Sequence, residues 1–303
     1  MQKNDFTVNS IMKNRYGLSI CCTYVSSPSN VDQTLTLNGT YNDANHMRVL
    51  MESYGYSVIF MNDVDLTPNQ VLYPTRDNIL NQLQIILNRA LKGDDVFIYY
   101  AGHGVNLLKR VGYDYEESGT DEAIVPTDFV FDSVLGFDNV IVDDMINDHL
   151  RLFSRAGVRI LMMFDCCHSG TICDLKFTYK YDPLNRKIIF DMIPDKYLDG
   201  ATETLSVDHN SIKADVITIS GCGDSDVSTE AIIRLSSEDD VVEQGVLTGA
   251  FRYLFKQNSH DVFYLLIAIH TYISKFNQFP RVSSNRPLHL NPAYRSILNF
   301  YSL

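Results

Sequence analysis

The chain has 303 residues, 45% of them hydrophobic, and a formal net charge of −12. That length supports a full core in one large domain or two small ones, and no apolar run approaches the roughly 18 residues of a membrane span. The negative balance leaves no basic stripe to offset the field of nucleic acid or of an anionic membrane, whereas a cationic peptide is drawn in.

The first thirty residues carry Lys3, Lys13 and Arg15 but no secretory h-region and no small-residue cleavage site, which points to the cytoplasm. The cysteines fall as two adjacent pairs, Cys21–Cys22 and Cys166–Cys167, plus Cys173 and Cys222. Such spacing is not the framework of a small disulfide-bonded domain.

Taken in chain order, short β-branched runs alternate with helical patterns. Tyr16–Tyr24 reads as a first strand. Asn42–Tyr54 reads as a helix, with Ala44, Met47, Leu50, Met51 and Tyr54 at helical spacing. Tyr56–Phe60 is a second strand, and Thr75 after Pro74 starts a helix that buries Ile79, Leu83, Ile86 and Leu87. Asp94–Tyr100 is a third strand, Asp143–Ala156 a helix closed by Gly157, and Val158–Phe164 a fourth strand. Asp174–Ala214, rich in Lys, Asp and Pro, reads as an exposed connection, and the acidic run Glu238–Asp240 as a solvated loop. The strand Asp215–Ser220 follows, then helices near Val246–Phe255 and Asp261–Phe276. Gln278–Asn285 reads as a turn and an edge strand. This alternation predicts an α/β fold with a mostly parallel central sheet covered by helices on both faces. The working crevice of such a sheet lies beyond the carboxyl ends of its strands.

Two signals sit there. FIYYAGHG places His103 just past the third strand, and ILMMFDCCHSG places Cys166 and Cys167 at the end of the fourth. A free thiol has a pKa of roughly 8.5 and is mostly protonated at neutral pH; an adjacent imidazole holds the thiolate or protonates the leaving amine. Gly102 and Gly104 leave room for a substrate backbone beside His103, and Gly170 lets backbone N–H groups face an oxyanion. Strand alternation puts Asp165 and Cys167 on one side and Cys166 on the other, so Cys167 is the candidate nucleophile and Cys166 packs inward. The competing readings are a structural His, inert cysteine packing, and a zinc site, for which only Cys173 lies near enough as a further ligand.

These segments resemble the metacaspases. The resemblance runs from about Tyr16 to Asn285, through NDA (Asn42–Ala44), YAGHG (Tyr100–Gly104), TDEAIVPTDF (Thr120–Phe129), IVDDMIN (Ile141–Asn147), DCCHSG (Asp165–Gly170) and SGCGDSDVSTEA (Ser220–Ala231). It implies a caspase-like three-layer sandwich in a single peptidase domain over 1–303. Within it, about 16–175 form a larger-subunit region, 176–213 an exposed connection and 214–303 a smaller-subunit region. It also implies a His103–Cys167 dyad, cleavage after Arg or Lys, and a monomer of the short form without a pro-domain. By the same resemblance Asp43 and Asp165 are the carboxylates of the S1 pocket; from the residues alone, a helix N-cap is the lesser alternative for Asp43. Thr40 and Ala101 are pocket neighbours that depart from the family's usual Cys and Ser. Asp121, Asp143, Asp144 and Asp174 match its calcium ligands, and Ca²⁺, a hard ion, suits such an oxygen cluster; the residues alone read as a helix cap at Asp143 and solvated charges. A peptidase selective for basic residues is further expected to nick itself at Lys176, Lys180, Arg186, Lys187 or Lys196. The rival functions are an aspartate-specific caspase and a non-proteolytic scaffold.

Overall fold

The computed structural model describes residues 13–108, 120–132, 136–166, 172–192, 211–221, 230–233, 242–256 and 261–297. Among these, eight strands form one central sheet: β1 (Arg15–Cys21), β2 (Ser57–Met61), β3 (Asp95–Ala101), β4 (Arg159–Asp165), β5 (Phe177–Asp182), β6 (Lys187–Met192), β7 (Asp215–Ser220) and β8 (Arg281–Ser284). Their order across the sheet is β6-β5-β8-β7-β4-β3-β1-β2. The block from β7 to β2 is parallel; β8, β5 and β6 extend it in antiparallel pairing.

Alternation along the strands builds the three layers. In β3, Val96, Ile98 and Tyr100 enter one core, with α2 (Arg76–Arg89) and α3 (Asp143–Phe153) above it. Phe97, Tyr99 and Ala101 enter the other, beneath α1 (Thr40–Ser53), α4 (Val246–Phe255) and α5 (Val262–Ile273). The expected sandwich with helices on both faces is therefore present. No helix among the described residues is long and apolar enough to cross a membrane.

Three local expectations change. The first strand ends at Cys21 rather than Tyr24, because the Thr23 and Tyr24 N–H groups leave the sheet to donate to the Asp63 carboxylate, at 2.9 and 2.7 Å. Part of the expected exposed connection 176–213 is regular structure, the β5–β6 hairpin at one edge of the sheet; its Lys and Asp residues are the charges with which edge strands resist further pairing. That hairpin covers β8, which is an interior strand instead of the edge expected for Gln278–Asn285. Residues 193–210 of the connection and the acidic run Glu238–Asp240 lie outside the described residues.

Smaller elements tie the strand tips together. Gly104–Leu108, starting right after His103, pairs antiparallel with Thr120–Ile124. Thr120–Ile124 pairs in turn with Ile141–Val142, which runs into α3. The hairpin of Glu230–Ile233 and Val242–Gly245 leads into α4. In the core under α4, Phe251 is fully buried, stacks on Phe255 at 5.0 Å and meets Phe97 edge-on at 6.2 Å. Phe251→Ala is expected to cost about 3–5 kcal/mol of unfolding free energy. Urea titration checks this, and a loss below about 1 kcal/mol means the layer repacks around the gap.

Candidate active site

The register of β3 and β4 sets the site. Ala101 pairs with Asp165 across the parallel ladder, so the chain leaves β3 towards His103 and β4 towards Cys167 from neighbouring strand tips, two residues before each. Cys167 itself lies outside the described residues, as do Gly170 and Cys222. The described cysteines suit packing rather than attack. Cys166 is buried with Phe164 in the α2/α3 core, as strand alternation predicts. Burial pushes the Cys21, Cys22 and Cys173 thiols well up, with acidic neighbours adding to it. Cys173 faces the Met162 sulfur at 4.0 Å, inside that same core.

His103 is held on four sides. Its backbone N–H donates to the Tyr24 hydroxyl at 2.8 Å, and its carbonyl accepts from Tyr100 Oη at 2.9 Å and from the Val125 N–H at 3.1 Å. Its ring stacks on Tyr24 with centroids 4.8 Å apart. Its Nε2 lies 2.8 Å from the Leu35 carbonyl. A carbonyl only accepts, so Nε2 carries the proton and Nδ1 is the basic nitrogen of the neutral ring. A side chain at Gly102 would run into the Tyr24 and Tyr100 hydroxyls, so glycine is required there by this packing rather than only to admit a substrate. Tyr24 itself has φ +64, unusual for an aromatic residue, and is locked there by Asp63 below and the Val125 carbonyl, to which its hydroxyl donates at 2.7 Å.

Asp43, Asp165, Thr40 and Ala101 converge beside the same edge. Cys21 pairs with Ala101 and lies 3.8 Å from Thr40 Oγ1. Thr40 opens α1, and Asp43 follows within its first turn, buried at 2% exposure. Asp43 is not the N-cap: Gly39 holds that position, and Asp43 Oδ2 instead accepts the Gly245 N–H at 2.6 Å. Asp165, 7% exposed, accepts from the Thr248 N–H at 3.0 Å and from Thr248 Oγ1 at 2.5 Å. Both acids therefore meet the start of α4. Sequence reasoning missed Gly245, Thr248, Tyr24, Asp63 and Leu35; none stands in a motif whose spacing reports its contact.

A second acidic group forms nearby. Carboxylate oxygens of Asp143, Asp144 and Asp174 lie within 4.8 Å of one another. Asp143 accepts from the Asp144 N–H at 2.8 Å and from the Glu122 N–H at 3.1 Å. Asp174 has φ +45, and Asn147 of α3 donates to the carbonyl before it, Cys173 O, at 2.8 Å. Asp121 sits in Thr120–Ile124, opposite Leu107 in the ladder; its side chain is outside the described ones.

A family description, metacaspase, peptidase C14 domain, matches residues 15–176, just over half of the chain. The chain belongs to the metacaspase family. It is thus a cysteine-type peptidase, and protein is its substrate class. Metacaspase-2 of Trypanosoma brucei brucei is 28% identical over 285 residues, covering 88% of this chain and 73% of the relative. Metacaspase-1 of Schizosaccharomyces pombe is 29% identical over 295 residues, covering 85% and 65%. A solved structure of a Geobacter sulfurreducens protein superposes with TM-score 0.60 at 22% identity, covering 94% of this chain and all of that one; at that identity the likeness concerns the fold alone.

Burial lowers the His103 pKa, an effect the Leu35 carbonyl partly offsets. With a folded value below the unfolded one near 6.5, the stability carried by the neutral ring is complete above that pH. It is lost as pH falls through the folded value. The melting temperature of wild type should therefore drop more than that of His103→Gln between about pH 7 and pH 5. His270, also lowered by burial, contributes alike to both proteins. Equal drops would remove the buried neutral imidazole.

Proposed function

We propose that this metacaspase is a calcium-dependent endopeptidase that cleaves after Arg or Lys through a His103–Cys167 dyad and a thioacyl intermediate. The observation that carries the reading is the strand register, which starts the His103 and Cys167 segments side by side with two buried aspartates next to them. In the reaction Cys167 Sγ attacks the scissile carbonyl and the C–N bond breaks. The leaving amine takes a proton from the His103 imidazolium, formed when Nδ1 received the thiol proton. Water, deprotonated by the same Nδ1, then releases the acyl group. The Leu35 carbonyl supports this by keeping Nε2–H engaged and stabilising the charged ring.

A basic P1 side chain fits a pocket whose charges are Asp43 and Asp165. An aspartate-specific pocket needs a cation there instead. Arg48, the nearest arginine in sequence, is paired with Glu52 at 2.8 Å and lies over the Phe60 ring. For calcium, the donor set of Asp143, Asp144 and Asp174 is all oxygen and drawn from two segments, which suits a hard ion. Asp121 belongs to the same reading through the family resemblance. Bound there, Ca²⁺ would supply charge neutralisation. The chain's own part is to carry that order to the dyad: Asp143 is tied to Glu122, whose strand pairs with the segment leaving His103, and Asp174 is seven residues past Cys167. Self-cleavage is not expected at Lys180 or Lys187, which are paired in β5 and β6; Lys176 and Arg186 lie outside those strands.

Cleavage of matched Arg, Lys and Asp peptides with and without calcium, in wild type and Cys167→Ala, tests dyad, specificity and metal together. Arg and Lys peptides should turn over only with calcium and only in wild type; undiminished turnover in excess EGTA removes the metal from the reading. Asp174→Asn should abolish both activation and the calcium-induced rise in melting temperature. A full thermal shift in that variant places the ion elsewhere.

A further inference from the structure

The carboxylate of Asp165 is a specificity determinant only if its orientation is fixed, and α4 fixes it. Thr248 sits in the first turn of this helix, where backbone N–H groups have no intrahelical partner; its N–H and its hydroxyl both donate to Asp165 Oδ2. Behind it, the Tyr99 hydroxyl is 2.6 Å from Thr248 Oγ1. A carboxylate only accepts, so the single Thr248 hydroxyl proton goes to Asp165, and Tyr99 must be the donor in its pair with Thr248. All three side chains are buried. A Cβ at Gly245, one turn earlier, would overlap the Asp165 carboxylate, and the Gly245 N–H reaches Asp43. One junction thus sets both acids, from opposite ends of a four-residue segment.

We infer that Thr248, backed by Tyr99, is a positioning residue for P1 specificity: it holds Asp165 in the orientation that reads a basic P1 side chain. This rests on the Arg/Lys pocket proposed above. The direction of the relay is Tyr99 to Thr248 to Asp165, and burial, which raises the Tyr99 pKa well above its ordinary value, keeps the first proton in place. A purely structural helix cap behaves differently, lowering stability and slowing every substrate and reagent together.

The test uses wild type, Thr248→Val, Thr248→Ser and Tyr99→Phe, with calcium present. It compares a peptide with Arg at P1, its neutral citrulline counterpart, and iodoacetamide, which alkylates Cys167 without using the pocket. In Thr248→Val the KM for the Arg peptide should rise about tenfold, the size expected for losing one hydrogen bond to a charged group. Its kcat and alkylation rate should stay near wild type. Thr248→Ser, which keeps the hydroxyl, should restore the KM, and Tyr99→Phe should raise it about threefold. Should Thr248→Val fail to fold, Tyr99→Phe and Thr248→Ser carry the comparison. An unchanged KM in Thr248→Val, or in Tyr99→Phe where Thr248→Val does not fold, or a parallel loss of alkylation, overturns the inference while leaving the pocket intact. A wild-type enzyme that does not prefer Arg over citrulline overturns the pocket assignment and the inference with it.

Discussion

Everything at this edge of the molecule depends on the parallel ladder between β3 and β4. Because Ala101 stands opposite Asp165, the chain leaves two adjacent strands at the same height. A slip of one residue would send each side chain to the opposite face. Tyr99 and Asp165 would then point into the α2/α3 layer, Tyr100 and Cys166 out of it. Near-continuous apolar sequence does not protect against such a slip by polarity alone. The protection comes from shape and polar tips: Tyr100 finds the His103 and Val125 carbonyls only on one face, and Tyr99 finds Thr248 only on the other.

The strand sequences made most of this architecture legible. The five parallel strands and the helices between them follow from apolar runs bounded by Gly, Pro and Asp. The antiparallel extension was hidden for a physical reason: the Lys, Asp and Pro residues in and around β5 and β6 look like loop composition. The site divided in the same way. His103 and Cys167 are visible because glycines and strand ends frame them, and Asp43 and Asp165 because their motifs are familiar. Thr248 lies 149 residues from Tyr99 in the chain, and no local pattern joins them. Asp63 is similar, since its value is to accept N–H groups from Thr23 and Tyr24, some forty residues earlier. Contacts of this kind are set by tertiary closure, not by propensity.

The imidazole is built into the scaffold more deeply than a residue on a loop. Both its backbone groups, one ring face and one ring nitrogen are engaged before any substrate arrives. In the proposed dyad, such preorganisation would spare the reaction the entropy of orienting its base. It also constrains the loop that carries Leu35, whose carbonyl selects the tautomer. That loop is fastened by Asn30, which donates to the Tyr24 carbonyl and accepts the Leu35 N–H. Tyr24 is therefore common to the ring, its backbone and the loop above it.

The two acidic groups answer opposite demands. Asp43 and Asp165 are buried, where an ionised carboxylate costs several kcal/mol unless donors are fixed around it; main-chain N–H groups of one helix start meet that cost permanently. Asp144 is exposed and Asp174 only half-buried, so water and ions in solution reach them. An ion concentration can shift a balance only where charges are accessible and mutually repelling, and fixed dipoles cannot do so. In the reading proposed above, sensitivity to a divalent cation would therefore belong to the cluster at the start of α3, and charge selectivity to the pair at the start of α4. The small sheet that follows His103 joins that residue to the start of α3 through its strand pairing.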